Sequence, residues 1–126
     1  MSHTPRILIV DDEEPIRKAL RRTLGSEACE IFEANGAPEA LKLLQTTPVE
    51  IIISDFLMPE VNGLDLLEQA HALLPDAVLI IMTGHAELDL VVQSISETAA
   101  CLFLLKPWDP FDVRMMIRRV REHLEE

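Results

Sequence analysis

The chain has 126 residues, a single domain's worth, and its 48% hydrophobic content supplies enough apolar surface for a core, which excludes a disordered segment. A formal net charge of −11 argues against a direct grip on nucleic acid or on an anionic membrane. No apolar run approaches the ~18 residues a membrane helix needs, and the N-terminus carries no signal-peptide stretch, so a cytoplasmic location is expected.

Arg6 to Val10 reads as the first strand, because a continuous apolar run marks a strand buried on both faces. Four acidic residues, Asp11-Asp12-Glu13-Glu14, follow it directly. Pro15 to Leu24 is predicted as a helix, with Ile16, Ala19, Leu20, Thr23 and Leu24 on one face and Gly25 just past its end. A short amphipathic strand spans Cys29 to Ala34, Asn35-Gly36 turns the chain, and Pro38 opens a helix whose inner face is Ala40, Leu41 and Leu44. Thr47-Pro48 stops that helix, since a residue before proline leaves the α region.

A third strand, starting near Val49, ends at Asp55. The loop from Phe56 to Asn62 leads to Gly63 and a helix that packs Leu66, Leu67, Ala70 and Leu74 before Pro75. The fourth strand, Ala77 to Met82, runs into Thr83-Gly84, and a fourth helix is expected over Glu87 to Glu97. Cys101 to Leu105 is the fifth strand, ending at Lys106-Pro107. Asp109 as N-cap and Pro110 at the first helical position start a fifth helix, with Val113, Met116, Ile117, Val120 and Leu124 inward.

Five strand–helix units without an internal linker make residues 1–126 a single α/β domain. Right-handed crossovers with helices on both faces restrict it to a doubly wound parallel sheet. The flavodoxin-like (βα)5 arrangement, strand order 2-1-3-4-5, has its switch point between strands one and three, where such sheets bind ligands. Cys29 and Cys101 then lie on opposite edges, too far apart for a disulfide, and are expected as reduced thiols.

In that arrangement the strand ends bring Asp11, Asp12, Asp55, Thr83 and Lys106 to one edge. Clustered carboxylates raise one another's cost of ionisation. A hard divalent cation such as Mg²⁺ relieves the repulsion and prefers oxygen ligands. A carboxylate is also a competent nucleophile for phosphoryl transfer, for which a divalent ion and a lysine are the expected charge stabilisers.

With these residues in order, the chain resembles the receiver domain of two-component response regulators from Arg6 to Glu126. The likeness rests on Asp11-Asp12, Asp55 after Ile51-Ile52-Ile53-Ser54, Met58-Pro59 with Gly63, Thr83-Gly84 and Lys106-Pro107. The resemblance implies that Asp55 is the phosphoacceptor and that a sensor histidine kinase donates from a phosphohistidine. It implies Mg²⁺ held directly by Asp12 and Asp55, by Asp11 through water, and by the Leu57 backbone carbonyl. Lys106 would pair with the phosphoryl oxygens, often presented by a cis peptide before Pro107. Thr83 would hydrogen-bond the phosphoryl group, Gly84 would leave room for it, and Phe103 would be the aromatic switch residue. His85 would face the mouth of the site and, with Leu57, tune the access of water.

The implied function is a Mg²⁺-dependent phosphorelay switch that catalyses only its own phosphorylation and dephosphorylation and has no external metabolic substrate. Its expected output face is the fourth helix, fifth strand and fifth helix, because five apolar residues between Leu88 and Ile95 exceed one buried stripe. A homodimer or an effector domain would read that face. The string Lys106-Pro107-Trp108-Asp109 looks like receivers of larger regulators, so an excised receiver and a stand-alone protein both fit, with transcription control through an effector as one implied output. Two departures from the family pattern stand out: Thr98-Ala99-Ala100 lacks the glycine common before the fifth strand, and Phe103 lacks the hydroxyl of the tyrosine often found there.

Three other readings are weaker. A dehalogenase-type phosphatase needs a second aspartate two residues after the nucleophile, where this chain has Leu57. A flavin binder would want a glycine- and hydroxyl-rich first loop, and residues 11–14 would repel the flavin phosphate. A degenerate docking module would not need the complete acid set.

Overall fold

The apolar runs become the middle of one parallel sheet. The computed structural model describes residues 4–57, 63–84, 86, 87, 89 and 101–124. Among these are strands β1 (Arg6–Val10), β2 (Glu30–Ala34), β3 (Ile51–Asp55), β4 (Val78–Thr83) and β5 (Cys101–Leu105). Helices α1 (Glu14–Leu24), α2 (Ala37–Leu44), α3 (Gly63–Leu73) and α4 (Pro110–Leu124) complete the described elements. The strand order is β2-β1-β3-β4-β5, all neighbours parallel, as the doubly wound reading requires. The helix predicted over Glu87 to Glu97 lies largely outside the described residues.

Alternating side chains split the core in two. Ile7, Ile9, Ile51, Ile53, Ile80 and Met82 face α1 and α4, meeting Leu20, Leu24, Val113, Ile117 and Val120. Leu8, Val10, Ile52, Leu79 and Ile81 face the other way onto Ala37, Ala40 and Leu44 of α2 and Leu66, Leu67 and Ala70 of α3. Burial of each such aliphatic side chain is worth about 1.5–3 kcal/mol. Every residue of β3 is buried, which suits the central strand.

Most predicted boundaries of the described elements hold to within a residue, but β3 begins at Ile51, two residues after the expected Val49, and α2 ends at Leu44, ahead of the expected stop at Thr47-Pro48. α1 starts at Glu14 and α2 at Ala37, one residue earlier than expected, because a proline is equally at home in the second position of the first turn. β4 includes Thr83, which is paired with Leu105, so the ladder runs to the site itself. The Asp109 carboxylate accepts the Phe111 N–H at 2.7 Å and caps α4 as predicted. Trp108 packs half-buried on the α1/α4 side of the core. Cys29 is a half-buried free thiol whose pKa burial pushes up, with Glu27 adding to the shift. Among the described residues no helix is long and apolar enough to cross a membrane.

Candidate functional site

Parallel strands put all carboxyl ends on one rim, and the switch between β1 and β3 opens there. β1 delivers Asp11, which is fully buried. Its N–H donates to the Ala34 carbonyl at the end of β2 at 3.2 Å. Its Oδ1 accepts the Glu13 N–H at 2.8 Å. Asp11 Oδ2 is buried without a hydrogen-bond partner. Lys106 Nζ stands 3.9 Å from it, beyond hydrogen-bond reach. Burial pushes the Asp11 carboxyl from 3.8 up to about 6, helped by the charges of Asp55 and Asp12 and opposed by the Glu13 N–H and Lys106.

Asp55 closes β3 and is almost fully buried. It accepts a hydrogen bond from Lys106 Nζ at 2.9 Å. That lysine is aimed by its own backbone: its N–H donates to the Thr83 carbonyl at 2.9 Å, continuing the β4–β5 ladder. The Lys106–Pro107 peptide is cis, as the resemblance anticipated. Thr83 is buried, with its hydroxyl donating to the Gly84 carbonyl at 3.3 Å. Gly84 N–H in turn donates to Glu87 Oε2 at 3.1 Å.

Gly63 returns against the end of β3, its N–H on the Phe56 carbonyl at 2.9 Å. A Cβ there would stand 2.3 Å from the Asp55 carbonyl oxygen, so only glycine permits this approach.

Asp11, Asp12 and Asp55 each offer a carboxylate oxygen, and these oxygens lie within 4.8 Å of one another. Mg²⁺ holds oxygens at ~2.1 Å, so a pair sharing one ion is at most ~4.2 Å apart. Adjacent ligands of an octahedral ion stand only ~3.0 Å apart, so a direct cage of three draws these oxygens together, whereas a bridging water tolerates wider spacing. The orphaned Asp11 Oδ2, the all-oxygen donor set and the excess of negative charge fit a hard divalent cation.

The family described as response regulator receiver domain matches residues 7–118. The chain belongs to this family. Among curated relatives, the receiver is 34% identical over 122 residues to the C4-dicarboxylate transport transcriptional regulatory protein DctD of Rhizobium meliloti, covering 97% of this chain and 26% of that protein. It is 35% identical over 122 residues to the DNA-binding transcriptional regulator NtrC of Escherichia coli, covering 95% of this chain and 25% of the relative. The chain thus spans about a quarter of the length of such relatives. The receiver domain of AraT from Geobacillus stearothermophilus superposes with a TM-score of 0.87 at 32% identity, over 98% of this chain and 97% of that one. A CheY-like receiver from Methanospirillum hungatei gives the same TM-score, 0.87, at 32% identity, with 98% of each chain covered.

The receiver's rim gathers Asp11, Asp12, Asp55 and Lys106 as the sequence reading expected, with Thr83 beside Lys106 on the neighbouring strand. Phe103 sits half-buried against the α2/α3 side of the core. Leu57 lies two residues beyond Asp55 and is 57% exposed. His85, Met58 and Pro59 fall outside the described residues. Sequence reasoning gave no part to Arg17, whose Nη1 donates to the Asp11 carbonyl at 2.7 Å, or to Glu87. A signal existed for each. Glu87 follows Gly84 at capping-box spacing, and Arg17 and Arg21 are one helical turn apart, facing the acidic Glu33 of edge strand β2.

Proposed function

We propose that this receiver is a Mg²⁺-dependent phosphorylation switch with Asp55 as phosphoacceptor. The observation that carries the reading is Asp55 held 2.9 Å from Lys106 Nζ while sharing a cluster of oxygens within 4.8 Å with Asp11 and Asp12. Asp11, Asp12 and Asp55, with the Leu57 carbonyl, would hold the ion. Bound Mg²⁺ would neutralise charge on the transferring phosphoryl oxygens. A carboxylate oxygen of Asp55 attacks phosphorus, the P–N bond to a sensor kinase's histidine breaks, and the freed imidazole takes a proton from solvent. Lys106 balances the charge that spreads over the phosphoryl oxygens. The Thr83 hydroxyl exchanges its Gly84 carbonyl for a phosphoryl oxygen, and Phe103 follows into the space Thr83 leaves. His85 and Leu57 set how fast water hydrolyses the acyl phosphate on Asp55. Apart from this self-directed chemistry there is no turnover of an external substrate, and the setting is the cytoplasm.

The output face centres on β5 and α4. Leu102 and Phe111 are 41% and 59% exposed beside a groove of about 1050 Å³ that also takes in Met115, Met116, Asp112 and Arg119. We assign this groove to a second copy of the chain, because its lining carries both an acid, Asp112, and a base, Arg119, which an antiparallel copy would pair reciprocally. Residues 1–126 act as a single receiver domain.

The decisive experiment is incubation with acetyl phosphate and Mg²⁺. A hydroxylamine-labile mass gain of one phosphoryl group appears in the wild type and is absent from Asp55→Asn. A gain that persists in the variant overturns the assignment. Gel filtration of the two forms tests the face: dimerisation on phosphorylation that Phe111→Asp abolishes supports it, and a phosphorylated monomer that instead retains an effector fragment refutes the two-fold contact.

A further inference from the structure

The acidic pair is also gripped from behind. Arg17 reaches up from α1, and its Nη1 donates to the Asp11 carbonyl at 2.7 Å. Its Nε donates to Glu33 Oε1 at 3.2 Å. The other Glu33 oxygen accepts from Arg21 Nε at 2.6 Å, and Arg21 Nη2 donates to the Ile31 carbonyl at 3.2 Å. Two arginines one turn apart thus tie the tip of β1 to edge strand β2 through a single glutamate. Exposed pairs of this kind contribute little. Arg17, however, is only 16% exposed and is bonded at both ends of its fork.

With the N–H on Ala34, Oδ1 on the Glu13 N–H and the carbonyl on Arg17, every polar atom of Asp11 except Oδ2 is held. The arrangement opposes electrostatics, since three carboxylates repel and a free loop would spread them. We propose that Arg17 is a positioning residue for the metal site. Clamped by Glu33 and Arg21, it fixes the Asp11 peptide so that the Asp11 and Asp12 carboxylates stay turned toward Asp55. The inference rests on the Mg²⁺ reading above.

Two effects of Arg17 predict opposite signs. As a cation beside a cation site, its charge alone disfavours Mg²⁺, so removing it would tighten binding. As a clamp, its removal loosens the ligands and weakens binding. Outer partners of metal ligands typically matter ten- to a hundredfold in affinity.

The test is Mg²⁺ titration of the wild type, Arg17→Met, Arg17→Lys and Glu33→Gln, followed by backbone amide chemical shifts, with hydrogen exchange of the Glu13 amide read in metal-free protein. Lys18→Met, which removes an exposed surface cation paired, among the described residues, with Glu14, is the charge control. Arg17→Met should raise the Mg²⁺ dissociation constant about tenfold or more, and Arg17→Lys should recover only part, having the charge without the fork. Glu33→Gln keeps the Arg17 charge yet should also weaken Mg²⁺, and it carries the test if Arg17→Met does not fold. The Glu13 amide should exchange faster in each, while Lys18→Met should bind Mg²⁺ as well as or better than wild type. Arg17→Met or Glu33→Gln binding Mg²⁺ as tightly as wild type, with Glu13 protection unchanged, overturns the clamp. A wild type that binds no Mg²⁺ sinks the metal reading first and the clamp with it.

Discussion

Replacing Asp11 by asparagine keeps the side chain's size and its Oδ1 acceptor for the Glu13 N–H, but removes one charge from the trio. In metal-free protein the wild-type carboxyl titrates at about 6 instead of 3.8, chiefly because it is buried. The difference, about 2 pH units at ~1.36 kcal/mol each, is worth about 3 kcal/mol. Its sign is fixed by which state holds the proton. Between about pH 4 and pH 6 the folded protein retains a proton that the unfolded chain has released, so stability falls as pH rises through that window. Above the window both states are ionised and the full destabilisation stands; below it both are protonated and the effect disappears. Asp11→Asn has no such term. In EDTA at pH 7.5 the variant should therefore be more stable than wild type by up to about 3 kcal/mol, and the gap should close toward pH 4. Urea denaturation at a series of pH values measures this. Mg²⁺ at a hundred times its dissociation constant should stabilise wild type by about 2.7 kcal/mol and the variant far less. A metal-free variant less stable than wild type at pH 7.5, or a difference that does not change with pH, would refute the account of the pocket.

Lys106→Met should slow phosphorylation by acetyl phosphate about 10²–10³-fold. Its Mg²⁺ affinity should not fall, because the substitution removes a cation 2.9 Å from one metal-ligand carboxylate and 3.9 Å from another. Gly63→Ala forces a methyl group onto the Asp55 carbonyl oxygen, and overpacking of this kind costs about 1–3 kcal/mol, measurable as a lower denaturation midpoint. Arg118→Met leaves buried Glu27 without its two-point partner, bonded at 2.8 and 3.1 Å, and should lower stability at pH 7. The Arg118 hydrogen bond holds the Glu27 carboxyl below its usual range, so that loss should shrink as pH falls below the ordinary carboxylate value of 4.5 and Glu27 takes up a proton.

Most of the fold was legible because its signals are local and redundant. The β1 and β3 runs are apolar on both faces, which only a covered parallel strand satisfies, and prolines or glycines flank most of the helices. The acid pair, Asp55 and Lys106 were legible for a related reason: each sits at the end of a strand whose direction was already fixed. What escaped were contacts set by the approach of distant segments. The need for glycine at position 63 comes from the Asp55 carbonyl, which the chain meets only after returning. The Arg17–Glu33–Arg21 chain depends on the lateral placement of α1 beside β2 and leaves no mark in the hydrophobic pattern. The raised Asp11 carboxyl likewise follows from complete burial, which an acidic tetrapeptide does not suggest.

β5 is tied to the sheet along one side only, to β4, and two of its adjacent residues lie on opposite faces. Phe103 rests on the α2/α3 layer, while Leu104 is locked among α1 and α4 side chains. A small roll of this ribbon lifts one of these side chains as it presses the other down. Lys106, the next residue but one after Leu104, therefore hangs its amine on Asp55 from a ribbon whose neighbouring side chains are anchored in both helical layers.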